Sequence, residues 1–122
     1  MKPELALELA VETLHDLFGE FKAIGLEFPK VLADLRNPKN QNKDIAKALS
    51  TLNKLLVEFQ NKTSSAKAEV KKYGMEITYS GLNHSDQSVQ DKIDEQRGIY
   101  WKYEPIVNKI KEVIGFLKDM KG

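Results

Sequence analysis

Apolar residues recur along this chain at alternating intervals of three and four. The first series is Leu7, Ala10, Leu14, Leu17, Phe21, Ile24, Phe28, Val31 and Leu35, the a and d positions of a heptad. Val11, Phe18, Gly25 and Leu32 at the e positions widen that stripe. It is broader than a two-stranded coiled-coil seam and predicts a central helix packed against two neighbours. A second series runs Ile45, Leu49, Leu52, Leu56, Phe59, Thr63, Ala66, Val70 and Tyr73; a third runs Val89, Ile93, Gln96, Tyr100, Tyr103, Val107, Ile110, Ile114 and Leu117.

The width of the second and third faces varies along their length. Ala48 and Leu55 broaden the first half of the second helix, whereas Lys62 and Glu69 hold the equivalent positions in its second half. In the third helix Lys92 and Gln96 narrow the start, and Ile99, Ile106, Val113 and Met120 broaden the remainder. Antiparallel neighbours would match narrow with narrow and wide with wide. The pattern predicts one all-α domain, residues 1–122. Its helices span about 3–36, 43–73 and 86–121, in an antiparallel up-down-up bundle.

Proline and glycine punctuate that plan. Pro3 suits a first helical turn, where its missing N–H has no partner to lose. Pro29 and Pro105 each remove an internal hydrogen bond, to the Gly25 and Trp101 carbonyls, yet the apolar phase passes through both. They are read as kinks in long helices; breaks there would give a bundle of four or five. The polar run Asn37–Asn42 reads as a turn, with Asp44 as a cap, and Gly74 as the residue that closes the second helix. Residues 74–85 are then a connector. Met75–Tyr79 alternates as a strand would, but a lone strand lacks a partner, so an extended segment over the bundle end is expected.

Composition narrows the class. At 122 residues the chain can bury a core without cross-links, and it has no cysteine, which rules out disulfides and thiolate chemistry. The 19 basic and 18 acidic residues leave a net charge of +1, so no global field draws nucleic acid. No apolar run reaches the roughly 18 residues of a bilayer span. Without a basic-then-apolar leader a cytoplasmic setting is expected, and export without a signal would leave the same pattern.

Candidate chemistry is sparse. Glu12-x-x-His15 has the spacing of a carboxylate metal bundle, but the only other histidine, His84, has Gly81 three residues before it. No metal, cofactor or catalytic residue is expected. There is no Gly-x-Ser-x-Gly and no phosphate-cradling glycine loop, so the chain reads as non-enzymatic.

Charge and leftover apolar residues offer more. Glu4, Glu8, Glu12, Asp16 and Glu20 form a ladder of carboxylates along the first helix, a like-charge spacing that disfavours an isolated helix. Antiparallel packing would set Lys62, Lys67, Lys71 and Lys72 beside it. The opposite end collects ten basic residues, Lys30, Arg36, Lys39, Lys43, Lys47, Lys54, Lys109, Lys111, Lys118 and Lys121, against six acidic ones, a local excess of +4. Trp101 falls at an outer f position and Phe116 at g, while Leu5 and Leu9 lie outside the first stripe. Large apolar residues outside a complete seam suggest a surface for protein, either a second copy in a homodimer or a partner in an adaptor, immunity, chaperone or secretion-accessory role. The alternative is a nucleic-acid-associated accessory protein using the basic end, which lacks interleaved aromatics and any helix-turn-helix pattern.

Overall fold

A computed structural model describes residues 2–36, 45–80 and 87–121, with side chains over 2–36, 45–73 and 89–120. The chain is all-α. The described residues contain four helices: α1 (Pro3–Ala23), α2 (Lys30–Arg36), α3 (Ile45–Ser80) and α4 (Gln87–Lys121). No strand occurs among those residues, and none of their helices is long and apolar enough to cross a membrane. The turn at 37–42, the Asp44 cap, and Gly81 and His84 of the connector lie outside the described residues.

The first helix is not one kinked rod. It stops at Ala23, where Gly25 takes a left-handed φ of +72°. The Leu26 N–H donates to the Phe21 carbonyl at 2.9 Å and the Gly25 N–H to the Lys22 carbonyl at 3.1 Å. This is a Schellman closure, in which orphan carbonyls of the last turn are capped by the reversed backbone. Pro29 then opens α2, its carbonyl accepting from the N–H groups of Leu32 and Ala33 at 3.1 and 3.0 Å. A heptad phase counts residues and does not register this break. Pro105 lies inside α4, which continues through it without a break.

The expected connector also needs correction. Helix α3 continues through Gly74 to Ser80, so Met75–Tyr79 is helical. A glycine inside a helix costs only about 1 kcal/mol relative to alanine, whereas an unpaired strand leaves its backbone groups without internal partners. Ile77 also stands four residues after Tyr73, where the four-and-three series would place its next member.

The chain divides into two compact units, Met1–Glu58 with Pro105–Gly122, and Phe59–Glu104. The core of the first draws Ala6, Ala10, Leu14, Leu17 and Phe21 from α1 and Leu32 and Leu35 from α2. Ala48 and Leu52 of α3, with Ile106, Ile110, Val113 and Leu117 of α4, are buried there too. Phe28 meets Phe18 and Phe21 edge-on, with ring centroids 5.4 and 5.3 Å apart, which ties the α1–α2 connection onto α1. In the second unit Val70 and Tyr73 pack on Val89 and Ile93, while Phe59 stacks on Tyr103 with centroids 5.4 Å apart. Early residues of one stretch meet late residues of the other, so the two run antiparallel. Their narrow faces meet, as the sequence predicts.

Candidate functional site

Most of the described apolar residues are buried or half-buried, and those left outside are the raw material for a site. In the first unit Leu5 is 48% exposed and Leu9 half-buried. At 100° per residue, Leu5, Glu8, Leu9, Glu12 and Asp16 fall within roughly 100° of arc on α1, opposite the buried stripe. All three of these carboxylates are exposed, as is Glu4, whereas Glu20 is half-buried. One helix face therefore combines two leucines a turn apart with a row of negative charge. Phe116 is half-buried in the same unit. The sequence missed Val57, which is 58% exposed on α3; its single outer position gave no periodic signal.

Lys62, Lys67, Lys71 and Lys72 all belong to the second unit and are exposed. Trp101 is there as well, 66% exposed on α4, the most open of the large apolar side chains described. Its neighbour Tyr100 has a phenol held above its ordinary range, first by a hydrogen bond to Glu104 one turn on, then by desolvation and the charge of that carboxylate.

A feature of the second unit that sequence reasoning did not foresee is an open groove of about 500 Å³ between α3 and α4. Asn61, Lys62, Ser65 and Ala66 form one wall; Gln96, Ile99, Lys102 and Tyr103 form the other. The Lys62 ammonium sits 4.9 Å from the centre of the Tyr103 ring and 5.9 Å from that of Phe59, and the Lys102 ammonium 5.9 Å from Tyr103. Two cations lie within 6 Å of the centre of one aromatic ring. The signal that could have revealed this was the narrowing of both seams, since Lys62 and Gln96 stand where apolar residues would otherwise fill the interface.

The basic end is less of a unit than its sequence suggests. Lys39 and Lys43 lie outside the described residues. Lys30, Lys47, Lys54, Lys111 and Lys118 are exposed, and so are Glu27, Asp34, Glu58, Glu112 and Asp119 of the same unit. Arg36 lays its guanidinium 4.0 Å over the Phe18 ring, and Lys109 lines a cleft with His15, Asp16 and Glu20. That cleft brings His15 beside two carboxylates, though Glu12 is not among its lining residues. Among the described residues no group of three or more histidine, aspartate or glutamate side chains could hold a metal ion. Compared with known protein families, curated proteins and solved structures, the chain matches none.

Proposed function

We propose that this chain is a non-catalytic helical bundle that works by binding protein, through a second copy of itself or through a partner. The observation that supports this is Trp101. A tryptophan two-thirds exposed at an outer position of its helix holds a large apolar surface in water. Tryptophan is the side chain most enriched among residues that dominate binding energy at protein interfaces. Exposed Leu5 and half-buried Leu9 extend the stock of apolar surface, and adaptor, immunity, chaperone or secretion-accessory roles all use such surfaces without chemistry.

The test is a variant carrying Trp101→Ala and Leu9→Ala. Its circular dichroism should match the parent, because neither side chain is in the core. Its association, followed by light scattering over a range of concentrations and by co-purification from the native host, should weaken by roughly thirtyfold, the effect of losing about 2 kcal/mol at an interface. A variant that keeps its helicity and every association sinks the proposal.

A further inference from the structure

Resting on that protein-binding reading, we infer that the groove of the second unit receives the acidic, leucine-bearing face of α1 from another copy of this chain. The groove selects for negative charge. Two ammonium groups flank it, and no carboxylate is among its described lining residues. Its floor is apolar, from the Tyr103 ring, Ile99 and Ala66, so a bare anion would leave most of its surface unsatisfied. The matching occupant is an amphipathic helix with apolar anchors one turn apart and carboxylates beside them, laid lengthwise between two walls.

The chain carries such a helix. Exposed Leu5 and half-buried Leu9 supply the anchors, and Glu8, Glu12 and Asp16 the charges, on one outer arc of α1. The spacing agrees. Both ammonium groups lie within 6 Å of the same ring centre, hence no more than about 12 Å apart. Carboxylates at intervals of four along a helix are separated by about 6 Å per step, so pairs drawn from Glu8, Glu12 and Asp16, about 6 or 12 Å apart, fall within that limit. Desolvation by the leucines strengthens each charge pair relative to one in open water. Association through this contact buries Leu5, offsets the self-repulsion of the carboxylate ladder, and weakens with salt.

A charge-swap experiment on the full chain decides it. One variant carries Lys62→Glu with Lys102→Glu, the other Glu8→Lys with Glu12→Lys. All four positions are exposed, and circular dichroism confirms that each variant is folded. By light scattering the parent should exceed 13.9 kDa at low salt, with its association constant falling roughly tenfold or more at high salt. Each variant alone should remain a monomer, because like charges then face each other. An equimolar mixture should associate again. A parent that stays at 13.9 kDa at every concentration overturns the inference and leaves binding to a different partner to the Trp101 experiment. A parent that associates while the swaps neither weaken nor restore it also overturns the inference, with protein binding intact.

Discussion

Single side chains divide into those whose setting their position announces and those it does not. Trp101 and Leu5 are of the first kind, because an apolar residue out of phase with its helix cannot reach the seam. Arg36 and Lys62 are of the second. Arg36 reads as part of the basic end and Lys62 as a charge beside the acidic ladder, yet one lies over Phe18 and the other near Tyr103, contacts that require two segments to meet. Tyr100 belongs with Trp101, since Glu104 four residues on is a neighbour in any helix. Its hydrogen bond supports the neutral phenol, so that contribution is complete below the ordinary tyrosine value of about 10 and is lost as pH rises through the higher folded value. Replacing Glu104 with alanine removes both the acceptor and the charge. The Tyr100 titration, read by phenolate absorbance against a Tyr100→Phe reference, should then move down toward its ordinary range.

At the scale of the element, the ends of helices were harder to read than their faces. The seam predicts burial well along α4, where Val107, Ile110, Ile114 and Leu117 are all in the core, and less well at the start of α1. There Ala6 and Thr13 are buried and Leu7 only partly so. A straight helix repeats every 3.6 residues and drifts about 20° per heptad from a 3.5 repeat, so two heptads back from Phe21 the buried line lies about 40° off Leu7, between it and Ala6. Thr13 is accommodated by donating its hydroxyl to the Leu9 carbonyl at 2.9 Å. Where α1 stops depends on Gly25 more than on Pro29. A Cβ there would meet nothing within 4 Å, so the objection to a side chain is the left-handed backbone and not crowding. Gly25→Ala should therefore lower stability by about 1–2 kcal/mol in chemical denaturation. An unchanged midpoint would show that the Schellman closure does not hold the end of α1.

For the whole molecule, stability should follow the seam. Leu17 is fully buried, and Leu17→Ala should cost about 2–5 kcal/mol in urea unfolding, the range for a leucine cavity. Leu5→Ala, at a surface position, should stay within about 0.5 kcal/mol. Comparable losses would mean that the outer leucine is as much a part of the fold as the inner one. The sequence by itself determined the helical class, most of the core and the outlying Trp101, because periodicity and side-chain direction are properties of one helix considered alone. Tertiary structure decided where α1 ends and which residues of α3 face which residues of α4. It also decided that Lys62 and Lys102, forty positions apart, both approach the ring of Tyr103. The physical reason is register: two antiparallel helices with the same repeat can slide by a turn and still match apolar to apolar, and only the packing of particular side chains selects one alignment.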